Sequence, residues 1–159
     1  MTRLNGHRVV VTGFGAITSL GQTPGSILAN VLANQSGIKV MTEWQDIAGL
    51  NTQLGGPVLD FSLPAHYTRK KIRAMGRVAK FATLATEHAL IDADLLGKDI
   101  LTNGQTGIAY GSCSGSSAPL KAFADVLEKR TTAGINATTY IKLMSHTTAV
   151  NAALFFGLK

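Results

Sequence analysis

The stretch that most constrains this chain is 106–119, TGIAYGSCSGSSAP. A short apolar run at 107–110 has the composition of a buried strand, and it empties into a glycine- and serine-rich turn. A helical pattern starts directly afterwards, at 117–120. A second apolar run, 7–12 (HRVVVT), is β-branched at its centre, as in a strand buried on both faces, and it too ends in a glycine turn, Gly13-Phe14-Gly15. Seventeen glycines and an alanine-rich apolar fraction suit closely approaching backbones. The pattern predicts layered α/β packing.

The turn at 111–115 carries the only cysteine, in Gly111-Ser112-Cys113-Ser114-Gly115. Read as G-x-C-x-G, it is a cysteine version of the nucleophile elbow of α/β-hydrolases. Asp125 and His146 follow Cys113 in the order such a triad needs. Their placement opposes the reading. Asp125 falls well inside the helix that follows the turn, and His146 falls in an apolar helix where a lone histidine is usually structural. A cysteine hydrolase using Cys113 stays an alternative, with an inert small residue as the simpler account.

The 13–18 segment begins like a dinucleotide fingerprint, but Thr18 stands where the third glycine belongs. No acidic residue ends a second strand about 20 residues on, so a nucleotide site is not expected. His7, His66 and His88 do not cluster with acids at ligand spacing, and no metal site is proposed.

Charged residues are only 15% of the chain and hydrophobic ones 45%, which excludes a disordered tail. No apolar run reaches membrane-spanning length and none resembles a signal peptide, so a soluble, cytoplasmic protein is the expectation. The net charge of +6 favours an anionic partner. Much of the excess sits in Arg69-Lys70-Lys71-Ile72-Arg73, followed by Arg77 and Lys80. A solvated helix face would account for such a run. No aromatic residues interleave it, which argues against nucleic acid.

Thr23-Pro24-Gly25 starts a helix whose apolar residues are Ile27, Leu28, Val31 and Leu32, and Ser36-Gly37 stops it. Residues 41–64 read as a surface excursion with short strands. The longest helical pattern runs from 69 to about 94, and its alanines at 79, 82, 85, 89 and 93 imply tight packing on neighbours. A helix is expected over 117–130, a polar connector over 131–139, and one final helix over 140–156, apolar nearly all round and hence buried in a core or an oligomer interface.

Taken together, these residues resemble the N-terminal half of the β-ketoacyl-acyl carrier protein synthases, the condensing enzymes of fatty-acid and polyketide synthesis. Arg8-Val9-Val10-Val11-Thr12-Gly13-Phe14-Gly15 resembles the family's opening R-x-V-[IV]-T-G-x-G. Leu20-Gly21, Gln35-Ser36-Gly37-Ile38, Arg69-Lys70 with Arg73 and Met75, and Gly107-Ile108 with Gly111-Ser112 and Gly115 follow in family order. Lys142 with Met144-Ser145 is similar to the bacterial K-x-M-A/P-S region. The likeness spans essentially all 159 residues.

The resemblance implies a thiolase-like fold, α/β/α/β/α in five layers, assembled as a homodimer, with residues 1–159 forming most of the first half. The family's reaction is a decarboxylative Claisen condensation of an acyl thioester with malonyl-carrier protein, and no cofactor is implied. By the resemblance its nucleophilic cysteine follows Lys159, and its catalytic histidines lie in the second half. No catalytic residue is therefore assigned in this chain. A catalytically silent, chain-length-determining partner subunit is the alternative within the fold. Two regions carry family roles. Arg69, Lys70 and Arg73 match the segment that docks the acidic acyl carrier protein, and Ser114 falls where the family lines its acyl pocket near the dimer seam.

Overall fold

The computed structural model describes residues 8–159. His7, the first residue of the expected opening strand, lies outside them. Helix α1 (Pro24–Leu32) begins where the sequence places it. The Thr23 hydroxyl accepts the Ser26 amide at 3.2 Å, the Ser26 hydroxyl accepts the Thr23 amide at 3.2 Å, and Pro24 opens the first turn. The surface excursion contains an antiparallel pair of two-residue strands, β1 (Lys39–Val40) and β2 (Leu54–Gly55), in the register Lys39 to Gly55 and Val40 to Leu54. It is the only sheet among the described residues.

The two apolar runs at 8–12 and 107–110 form no sheet among the described residues. This corrects the expectation of a strand at each run, and at the first of one buried on both faces: Val9 is 93% exposed, and Val10 and Val11 also face out. Their composition suits a sheet interior, but a strand is buried only when neighbours supply ladder partners and covering layers.

The glycines after the first run are packed as predicted. A Cβ on Gly13 would meet the Ala89 carbonyl oxygen and the Ala93 amide, and one on Gly15 would overlap the Ala85 carbonyl. The turn crosses the alanine face of the helix Arg77–Asp92 at backbone contact, and Phe14 donates its amide to Asp92 Oδ2 at 3.1 Å. Close helix–segment packing, and not phosphate binding, explains the Gly-Phe-Gly.

The helix expected from 69 to 94 is two helices, a single turn α2 (Arg69–Ile72) and the long α3 (Arg77–Asp92). Gly76 breaks them. Its extended backbone caps α3, and a side chain there would collide with Ser116. The cap itself arrives from a distance: the Ser116 hydroxyl accepts the Val78 amide at 3.1 Å. Helix α4 (Leu120–Lys129) is shorter at its start than predicted. The final helix is also divided, into α5 (Ala137–Leu143) and α6 (Thr147–Phe156). Met144 turns extended, and the Thr147 hydroxyl bonds the Met144 carbonyl at 2.7 Å, diverting backbone that would have continued the helix. Asn136 caps α5 by accepting the Thr138 amide at 3.0 Å.

The centre is the packing of α3 on α6. Ala79, Thr83, Leu84 and Glu87 are buried from α3, and Thr148, Asn151 and Ala152 from α6. The apolar composition of α6 predicted burial in a core or an oligomer interface. Within this chain its small and polar residues go inward, while Val150 and Leu154 are exposed. No helix among the described residues is long and apolar enough to cross a membrane.

Candidate functional site

The basic segment is held by residues on both sides of it in sequence. Tyr67 is buried and donates its hydroxyl to Glu87 Oε2 at 2.8 Å. His66 Nε2 lies 2.7 Å from Glu87 Oε1. A carboxylate 6% exposed thus holds both residues that lead into α2. Burial first, then the bond to Glu87 and its negative charge, pushes the Tyr67 phenol well above its ordinary range. The pairing of His66 with Glu87 spans 21 positions in sequence, and spacing alone gave no sign of it. Glu87 is the site residue that sequence reasoning missed. His88, next to it, turns to the opposite side, against Gly15.

Phe155 of α6 stacks on Tyr67 with ring centres 4.4 Å apart, and the Lys71 ammonium stands over Phe155 at 5.1 Å. Arg77 is likewise committed internally. It donates to the Val58 carbonyl at 2.6 Å and lies 4.9 Å from the Phe81 ring centre. The basic run therefore divides. Lys71 and Arg77 hold structure together. Arg69, Lys70 and Arg73 are exposed and make no ion pair or side-chain hydrogen bond among the described residues. Arg69 and Arg73 stand four residues apart, on one side of the turn of helix.

The glycine–serine turn is anchored at its far end. Gly115 lies so close to the Leu143 carbonyl that a Cβ would overlap it, and the Ser116 amide donates to the Lys142 carbonyl at 2.9 Å. Before that anchor the turn is open. The Ser112 hydroxyl bonds the Ser114 carbonyl at 2.8 Å, and Ser114 is exposed with its hydroxyl 3.1 Å from the Gly115 carbonyl. Cys113 is exposed and no hydrogen bond joins it to Asp125 or His146 among the described residues. Asp125 is instead paired with Lys129 at 2.6 Å. His146 stands exposed just before α6, which corrects its expected place inside an apolar helix. The parts of a triad are present in order and absent in geometry. Among the described residues no three His, Cys, Asp or Glu side chains gather as a metal site.

Residues 6–159 match the family described as Beta-ketoacyl synthase, N-terminal domain. The chain is 34% identical over 110 residues to the 3-oxoacyl-[acyl-carrier-protein] synthase 1 of Haemophilus influenzae, covering 69% of this chain and 26% of that protein. It is 33% identical over 112 residues to the 3-oxoacyl-[acyl-carrier-protein] synthase 2 of Synechocystis, covering 70% and 26%. The chain thus spans about a quarter of the length of these curated relatives. A crystal structure of a beta-ketoacyl synthase from Burkholderia phymatum superposes with a TM-score of 0.87 at 41% identity, over 94% of this chain and 37% of that one. The helices and turns described above are therefore those of a thiolase-like α/β fold, in its N-terminal half. The chain belongs to the β-ketoacyl synthase family, as its N-terminal domain.

Proposed function

We propose that this domain serves a 3-oxoacyl-acyl carrier protein synthase, in which an acyl thioester is condensed with malonyl-carrier protein as carbon dioxide leaves. The observation that carries the reading onto this chain is the trio Arg69, Lys70 and Arg73, exposed and without an ion pair among the described residues. Unpaired cations on one surface steer an acidic partner and raise its association rate. The names of the curated relatives specify a carrier-bound substrate, and an acyl carrier protein is the acidic partner that fits. Bond-making groups are not assigned to this chain, whose part is to receive the carrier and shape the acyl path. Ser114 belongs to that path, at a turn the family places near the seam of a homodimer acting in the cytoplasm. Its small side chain leaves room for a medium or long acyl chain.

Charge reversal tests the reading. In the full-length enzyme, Lys70→Glu should raise the KM for a carrier-bound acyl chain about tenfold relative to that for a small thioester, an effect expected of a lost attraction replaced by repulsion. The difference should shrink as salt screens the surface. An equal loss on both substrates would sink the docking role.

A further inference from the structure

We infer that the cleft between the 58–63 segment and the opening of α3 binds a phosphate monoester carried on a small aromatic body, a ligand separate from the carrier protein. The cleft has a volume of about 330 Å³ and is lined by Phe61, Leu63, Arg77 and Lys80. None of the four belongs to α2 or α6, and none is an acid. A cleft of this size lies at the small end of ligand pockets, with room for one ring and its phosphate.

Arg77 is set in place before any ligand arrives. Its guanidinium lies 4.9 Å from the Phe81 ring centre and 5.9 Å from that of Phe61, and its Nη2 donates to the Val58 carbonyl at 2.6 Å. The two rings meet edge-on with centres 4.5 Å apart, so the support under the guanidinium is itself packed. A guanidinium held this way keeps its other N–H groups in a fixed direction and loses little freedom on binding. Lys80 follows three residues later, at a spacing that puts it on the same side of the helix. It is only partly exposed, yet neither Lys80 nor Arg77 has an ion pair among the described residues. Asp60, next to Phe61 in sequence, does not line the cleft.

The lining decides the ligand. Two neighbouring cations, one of them partly withdrawn from water, favour an anion that offsets both. A carboxylate or a phosphate diester carries a single negative charge and leaves one cation unmatched. A phosphate monoester carries a charge of about −1.5 to −2 at pH 7. Its oxygens suit the arginine fork and leave the lysine as a second point charge. Phe61 and Leu63 require the rest of the ligand to be apolar, and a ring gives the most contact for the fewest frozen torsions.

The test uses the full-length enzyme and phenyl phosphate, read by titration calorimetry. Wild type should bind it with a Kd near or below about 1 mM. Lys80→Gln should raise that Kd about tenfold, the order of one lost charge-assisted hydrogen bond. Arg77→Lys should weaken binding by a similar factor, because it removes the fork and keeps the charge. Methyl phenyl phosphate, a diester, and inorganic phosphate, which lacks the ring, should each bind about tenfold more weakly than phenyl phosphate. The KM for a carrier-bound acyl chain should be unchanged in Lys80→Gln. Equal affinity in wild type and both variants places phenyl phosphate elsewhere on the enzyme and overturns the site. Absence of binding at about 10 mM overturns it too. A diester or bare phosphate that binds as tightly as phenyl phosphate overturns the ligand class. A KM raised by Lys80→Gln makes the cleft part of the carrier surface, and that also overturns the inference.

Discussion

The glycine–serine turn and the basic segment are anchored in different materials. The turn is held chiefly by main chain, Gly115 against the Leu143 carbonyl and the Ser116 amide on the Lys142 carbonyl, with the Ser116 hydroxyl adding a cap on α3. The basic segment is held by side chains: Glu87 grips His66 and Tyr67, Tyr67 stacks on Phe155, and Phe155 takes Lys71. Main-chain anchors admit almost no substitution because nothing can rotate away. Side-chain anchors yield by degrees. Each anchor leaves exposed residues beyond it, Ser114 in the turn and the Arg69, Lys70, Arg73 trio in the segment.

The sharpest way to break the contrast is Gly115→Ala. The added Cβ would force apart the turn and the end of α5, at a cost of about 3 kcal/mol or more, read as a lower denaturant midpoint. A wild-type midpoint would mean that the turn floats. On the other side, Glu87→Leu keeps a buried volume but strands the Tyr67 hydroxyl, and about 2 kcal/mol should be lost. If Gly115→Ala proves milder than Glu87→Leu, the ranking of main-chain over side-chain anchors is wrong.

Tyr67 offers a finer probe through pH. Its phenol is pushed up by burial and by Glu87, so the folded chain keeps that proton when the unfolded chain releases it. Below about pH 10 the phenol is neutral in both states and its contribution is constant. Above that the unfolded state binds fewer protons, so stability falls as pH rises, by up to about 1.4 kcal/mol per pH unit from this group. Tyr67→Phe should flatten that part of the curve between pH 9.5 and 11, and identical slopes in the two proteins would remove the burial argument. The smallest effect is at the open end of the turn. Ser114→Phe should leave the denaturant midpoint near wild type, since the residue is exposed, and shift the products of the full-length enzyme to shorter chains. An unchanged product profile would take Ser114 out of the acyl path.

Local signals were legible where their cause is local. Thr23 and Pro24 mark the start of α1 because capping needs only neighbouring residues. Gly13 and Gly15 announced close packing, and the alanines of α3 announced the surface they pack on. The breaks at Gly76 and Met144 were hidden by apolar periodicity that continues on both sides of each. Gly76 starts a helix there because the Ser116 hydroxyl, 38 residues on from Val78, takes the Val78 amide, and Met144 turns where Thr147 captures a carbonyl. Charge composition marked the whole basic run as one feature. It could not separate Lys71 and Arg77, used inside the molecule, from Arg69, Lys70 and Arg73, which have no ion pair among the described residues, because Phe155, Phe81 and the Val58 carbonyl are distant in sequence.

The sequence by itself determined the family, the order of the motifs and the location of the surplus charge, because these are carried by residue identity and spacing. Tertiary structure alone decided which residues act together. Glu87 became the clamp of the basic segment, and Leu154 was turned outward beside it. The Gly111-Ser112-Cys113-Ser114-Gly115 turn lost its resemblance to a nucleophile elbow once Asp125 was found on Lys129 and His146 in solvent. A catalytic triad is a matter of angstroms and a motif is a matter of order, and only packing converts one into the other.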